Sequence, residues 1–182
     1  MSRTRVLVEI AILVAMAFVL EFTFSFLPKM PQGGRIGISM LPLVVIAWRH
    51  GVVQGWIGGI VFGLLNLMLD GVLYHWGSFF LDYTIAFGLV GMTGFFKPLI
   101  KDHVIVFVGA IITAFLLRFV STVLSGVLLF GEYAPEGESV WIYSIVYNTT
   151  YLLPALILTM IVGVPSYYAI KSIDRDNINE MY

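Results

Sequence analysis

The chain has 182 residues, of which 59% are hydrophobic and only 12% charged, with a mean hydropathy of +0.95 and a net charge of -1. A soluble domain carries about 25% charged residues, so this balance excludes a water-soluble globule, a disordered chain and a nucleic-acid binder, and leaves an integral membrane protein. The absence of cysteine excludes disulfides, thiolate metal sites and cysteine nucleophiles.

Six apolar spans are predicted in chain order. The first runs from about Arg5 to Leu27 and stops at Pro28 and Pro31; at that length it is a span rather than a cleaved signal. The second covers about Ile36 to Trp48, which is short for a bilayer crossing, so its start is expected inside the preceding loop. The third covers about Val52 to Leu69, and the fourth about Tyr74 to Phe96. The fifth covers about Val104 to Phe130. The sixth covers about Val140 to Ile170, with Pro154 as an expected kink. The runs are continuous rather than alternating, which favours helices over a barrel. The expectation is an all-α integral membrane protein, a six-transmembrane-helix bundle forming one domain over residues 1–182. Gly55, Gly59 and Gly63 repeat every four positions on the third span and predict close helix packing within the bundle. Ala11 and Ala15 share that spacing on the first span, where a smooth face also suits a partner protein.

Basic residues set the orientation. With the N-terminus cytoplasmic, Arg3, Arg5, Arg49, Lys97, Lys101, Lys171 and Arg175 lie inside, against Lys29 and Arg35 outside. Both termini are therefore predicted to be cytoplasmic. Ionisable groups deep in a span point to function by default, and Glu21, Asp82 and Arg118 qualify. Asp82 lies eight positions into the fourth span, Thr122 eight before the end of the fifth and Asn148 eight after Val140, each about 12 Å deep. Tyr143 is about one turn shallower. Tyr74, Trp76, Tyr83, Tyr133, Trp141, Tyr147 and Tyr151 crowd the same outer layer. A carboxylate among aromatic rings suits a small organic cation.

Structural readings stand beside this one. Asp82 and Arg118 also fit a buried pair that neutralises itself, and the rings also fit an interfacial belt. His75, with Tyr74 at the edge of the fourth span, is a candidate ligand neighbour but reads more readily as interfacial than as a metal ligand. His50 and His103 read as solvated, and no metal or cofactor is expected. Tyr143 and Asn148, five positions apart, point about 140° from each other, so lining one pocket together requires an irregular or loop-wrapped helix end. Two rival classes fit the sequence less well. An intramembrane enzyme lacks a mid-span histidine or an acidic metal cluster. A self-sufficient secondary carrier of a cation lacks internal repeats.

Several strings then carry a resemblance. Met30-Pro31-Gln32-Gly33-Gly34, Leu81-Asp82-Tyr83, Arg118 with Val123-Leu124-Ser125-Gly126, Tyr133-Ala134-Pro135, Trp141-Ile142-Tyr143-Ser144 and Tyr147-Asn148 together cover nearly the whole chain. The pattern resembles the thiamine-specific substrate-binding subunits (S components, ThiT/YuaJ type) of energy-coupling factor (ECF) vitamin transporters. The resemblance implies the six-helix S-component fold in a bacterial plasma membrane, with thiamine or a close relative bound near the outer face. Asp82, Tyr83, Tyr143 and Asn148 take the positions of the family's ligand-binding residues. Glu9-Ile10-Ala11 with Ala15 looks like its docking face for a transmembrane scaffold subunit, which couples to two ATPase subunits. The chain departs from the pattern in having Asp82 where many members carry Glu, Thr122 where members carry His, and no Trp in the first external loop. Trp141 is expected to compensate, and an aminopyrimidine precursor stays open as the ligand. The loop from Pro28 to Arg35 is expected to act as a lid. No Gly-x-x-x-x-Gly-Lys-Ser/Thr string occurs, so energy from ATP must come from partners.

Overall fold

The computed structural model describes residues 2–26, 30–31, 34–70, 73–100 and 103–179, with backbone alone from 174 onward. Its helices are α1 (Arg3–Phe24), α2 (Met40–His50), α3 (Val52–Asp70), α4 (Phe79–Ile100), α5 (Val104–Leu129) and α6 (Val140–Asn179), and no strand occurs among the described residues. All but α2 are long and apolar enough to cross a membrane. The chain is a multi-pass membrane protein.

Helix α2 has 11 residues, about 16 Å at 1.5 Å per residue. It starts four residues later than the sequence predicts because residues 34–38 are irregular rather than helical. Non-helical backbone at membrane depth survives where protein covers it or where it lines a cavity, and both conditions hold here. Every residue from Met40 to Trp48 is buried. Helix α1 is the opposite case, since only Val14, Ala17 and Glu21 of its 22 residues are buried.

Helices α3 and α4 meet backbone to backbone. A Cβ on Gly59 would sit 2.1 Å from the Phe87 carbonyl oxygen, and one on Gly63 would sit 2.3 Å from that of Tyr83. The predicted glycine stripe is thus an internal packing face. Helix α4 begins at Phe79 rather than Tyr74, because residues 74–77 form bends and a turn in which the Gly77 N–H donates to His75 Nδ1 at 3.0 Å. Asp82 therefore lies in the first turn of α4, not eight positions in. That turn, Phe79–Thr84, is π-helical, and its widened geometry is held by side-chain hydroxyls. Thr84 Oγ1 donates to the Phe79 carbonyl at 2.9 Å, and Ser121 Oγ donates to that of Leu81 at 2.6 Å. Helix α6 runs on through Pro154 and Pro165.

The two ends of the bundle differ. Near the helix ends on the termini side, Trp48, Phe107 and Tyr167 form a dry aromatic cluster with centroids 5.2–5.5 Å apart. The Tyr167 hydroxyl donates to the Ile100 carbonyl at 3.1 Å. Glu9 on α1 pairs with Arg49, and His50 Nε2 lies 3.3 Å from Glu9 Oε2. The His50 side chain is only 5% exposed, so this histidine is packed rather than solvated as the sequence suggested. The opposite end holds a cavity.

Candidate ligand-binding site

The cavity measures about 90 Å³, several times what one water molecule needs. Two walls enclose it. One is built by α4, α5 and α6, and the other by α1, α3 and the irregular segment before α2.

On the first wall, the π-turn carries Asp82 and Tyr83 into the cavity. Ser125 Oγ donates to Asp82 Oδ2 at 2.7 Å. Arg118 also lines the cavity, with its Cζ 4.2 Å from the Phe87 ring centroid. It makes no ion pair with a carboxylate among the described residues, so the neutralising Asp82–Arg118 pair does not form; a cation–π contact holds the guanidinium instead. From α6, residues 143, 144, 147, 148 and 151 form one stripe of the cavity lining. Tyr143 and Asn148 occupy the two edges of that stripe, which is how side chains about 140° apart reach one pocket from a regular helix. Asn148 is fixed from both ends. Its Nδ2 donates to the Ser144 carbonyl at 2.9 Å, and its Oδ1 accepts from the Tyr151 hydroxyl at 2.6 Å. Gly126 lets α5 and α6 approach here, since a Cβ would lie 2.2 Å from Ser144 Oγ.

The second wall is an ion-pair network. Arg35 Nη2 donates to Asp70 Oδ1 at 2.6 Å, and Arg35 Nε lies 3.9 Å from Glu21 Oε1. Ser39 Oγ donates to Glu21 Oε2 at 2.5 Å. The Tyr83 hydroxyl donates to Asp70 Oδ2 at 2.8 Å and so ties the two walls together. Gly34 brings the segment close: its φ is +85°, and a Cβ there would meet the Tyr151 ring at 2.8 Å. The Met30 N–H donates to the Gly34 carbonyl at 3.1 Å. Much of the lid predicted over residues 28–35 lies outside the described residues.

The lining carries three carboxylates (Glu21, Asp70, Asp82) against two guanidinium groups (Arg35, Arg118), a formal charge of -1. The arrangement can therefore hold one positive charge among tyrosine rings. Among the described residues, no three His, Asp or Glu side chains gather as a metal site.

Residues 7–173 match the thiamine transporter protein (Thia_YuaJ) family. The chain belongs to that family. It is 36% identical over 166 residues to the thiamine transporter ThiT of Bacillus subtilis, covering 86% of each chain. To the thiamine transporter ThiT of Lacticaseibacillus paracasei it is 33% identical over 175 residues, covering 86% of this chain and 84% of that one. The solved structure of ThiT from Listeria monocytogenes superposes with a TM-score of 0.78 at 25% identity, over 92% of this chain and 95% of that one. The predicted six-helix bundle and the predicted family resemblance are both borne out.

Of the residues expected at the site, Asp82, Tyr83, Thr122, Tyr143, Asn148 and Tyr74 line the cavity. Trp141 and His75 do not. Trp141 is 52% exposed on the first turn of α6, about two turns before Asn148 and outside the cavity lining. His75 accepts from Gly77 within its own turn and tilts against Trp76, centroids 5.6 Å apart. Trp76 and Tyr133 are exposed, as belt residues would be. The sequence reading missed Asn66 and Asp70 on α3, and it placed Arg35 only in a loop. A signal existed: Asn66 and Asp70 extend the Gly55-Gly59-Gly63 face at spacings of three and four.

Proposed function

We propose that this protein is the substrate-binding subunit of an ECF-type importer, which captures thiamine from outside a bacterial cell for uptake driven by ATP hydrolysed in partner subunits. The observation that carries the reading is the formal charge of -1 in a tyrosine-lined cavity, in a chain whose relatives are named as thiamine transporters. Thiamine carries one permanent positive charge on its thiazolium ring and a planar aminopyrimidine. Asp82, held by a serine hydroxyl rather than by an arginine, supplies charge and acceptor oxygens to the cationic ligand. The rings of Tyr74, Tyr83, Tyr143 and Tyr147 offer stacking and cation–π attraction. Thr122 and Asn148 fix orientation, Asn148 with its amide already oriented by Ser144 and Tyr151.

The basic-residue distribution supports both termini inside, which puts the cavity at the outer face and the Trp48–Phe107–Tyr167 cluster at the inner end as a seal. Ala11 and Ala15 are exposed on α1, and this small-residue face docks the transmembrane scaffold subunit that joins two ATPase subunits. Purified protein is expected to retain thiamine, detectable by mass spectrometry. After stripping, it is expected to bind thiamine more tightly than the isolated pyrimidine half in calorimetric titration. No retained vitamin and no heat of binding would refute the reading. Leucine at both Ala11 and Ala15 is expected to abolish co-purification with the scaffold while leaving thiamine affinity unchanged; intact co-purification overturns the docking face.

A further inference from the structure

We propose that Arg35 and Asn66 form a second polar subsite in the cavity, and that it binds an alcohol hydroxyl of the ligand. The proposal rests on the reading of this cavity as the thiamine site. The Arg35 side chain is 7% exposed. Its Nη2 is engaged by Asp70 and its Nε faces Glu21, but its buried Nη1 has no hydrogen-bond partner among the described residues. Asn66 is 5% exposed, and its Oδ1 is likewise buried without a partner. Both residues line the cavity. Asn66 lies one helical turn before Asp70 on α3, and Asp70 holds Arg35, so an open donor and an open acceptor share one wall. Unmet buried polar atoms are costly and rare in folded proteins, so these two mark where a polar ligand group completes the wall.

The pairing of donor and acceptor selects the group. A carboxylate or carbonyl would satisfy Arg35 Nη1 and leave Asn66 Oδ1 unmet. An ammonium would satisfy Asn66 and meet the guanidinium charge. A hydroxyl satisfies both through one atom, since it donates to Oδ1 while accepting from Nη1; the aminopyrimidine edge also offers a donor and an acceptor, on two separate atoms, and an analogue that keeps that edge and lacks the hydroxyl tells the two apart. Thiamine presents a hydroxyl at the end of its hydroxyethyl side chain. With the cationic part held by Asp82 on α4, the ligand is read by two separate groups of residues. A site built to hydrogen-bond a ligand hydroxyl discriminates strongly against the analogue that lacks it.

The test compares the wild type and two single variants by calorimetry, using thiamine and its analogue with ethyl in place of hydroxyethyl. The wild-type protein is expected to bind the ethyl analogue about tenfold more weakly or worse. Asn66→Leu keeps the volume and removes the acceptor. Arg35→Lys keeps the pairing charge for Asp70 and removes the fork, and it serves independently should Asn66→Leu fail to fold. In either variant thiamine binding weakens and the ratio between the two ligands falls to about twofold or less. A wild-type ratio near one would mean that water satisfies the two atoms and would overturn the proposal. So would a tenfold ratio that persists in both variants. Absence of thiamine binding to the wild type would instead refute the functional reading, and the subsite with it. Thiamine binding with no discrimination refutes the subsite alone.

Discussion

The wall built by α4, α5 and α6 is held by short hydroxyl bonds between neighbouring helices, Ser125 to Asp82, Ser121 to the Leu81 carbonyl and Ser144 to the Val123 carbonyl, and by Tyr151 to Asn148 within α6. The wall built by α1, α3 and residues 34–38 uses formal charges instead, drawn from three separate elements onto Arg35. The first wall carries one carboxylate and one guanidinium that do not pair with each other, so Asp82 meets the cavity held only by a serine hydroxyl. The second, two carboxylates around one guanidinium, carries the cavity's excess negative charge but engages it with Arg35, Ser39 and Tyr83, and leaves over a donor and an acceptor. Burying charge is tolerable only with close partners, so the second wall is chiefly a scaffold with a recognition edge. The first is where cation binding is concentrated.

The sharpest way to break this arrangement is to push the walls apart. Gly59→Ala places a Cβ 2.1 Å from the Phe87 carbonyl, with backbone rather than a flexible side chain in the way. The expected cost is about 3 kcal/mol of stability, read as a fall in the thermal unfolding temperature in detergent. Gly109→Ala is the matched control, because nothing lies within 4 Å of a Cβ there, and helix propensity predicts a gain of up to about 1 kcal/mol. Equal melting of the two variants would break the account of α3–α4 packing.

Next in size is the loss of the ligand's charge partner. Asp82→Ala is expected to weaken thiamine binding by at least about tenfold, the scale of losing a buried charged partner, while the fold persists. Unchanged affinity in calorimetry would move cation binding to the other wall.

Tyr83→Phe tests the tie between the walls. Its hydroxyl donates to Asp70 at 2.8 Å, and losing that bond to a charged acceptor is expected to cost about 1.5 kcal/mol of stability. Chemical denaturation with unchanged slope and a lowered midpoint would report it. An unmoved midpoint means that the walls are joined by the glycine packing alone.

The contrast between the walls also governs what the sequence reveals. The helices of the first wall are long apolar runs, and Asp82, Thr122 and Asn148 stand out because each interrupts one. The fold was legible for the same reason, from five spans whose apolar runs translate directly into helices. The second wall hides its logic. Asp70 closes α3, so it reads as an ordinary span end, and Asn66 is neutral. Arg35 sits in a segment that carries no helical period. What brings them together is the irregular path of residues 34–38, set by tertiary contacts such as Gly34 on the Tyr151 ring. No local pattern encodes such a contact. The same limit misplaced the start of α4. A π-turn held by hydroxyls from Thr84 and Ser121 has no hydropathy signature.

The smallest expected effect separates a residue that belongs to a wall from one that merely shares its depth. Trp141 has the composition of a site residue, an aromatic ring two positions from Tyr143. Seven positions, about two turns, separate it from Asn148, so it shares that edge of the helix but sits about 10 Å nearer the helix end, and the ring is 52% exposed. Trp141→Leu keeps an apolar side chain there, so thiamine affinity is expected to stay within about twofold. The neighbouring Tyr143→Leu removes a ring that lines the cavity, and affinity is expected to fall by about fivefold, the scale of a cation–π contact freed of water. If the two substitutions weaken binding equally in calorimetry, proximity to the outer layer rather than membership of the wall decides which rings serve the ligand.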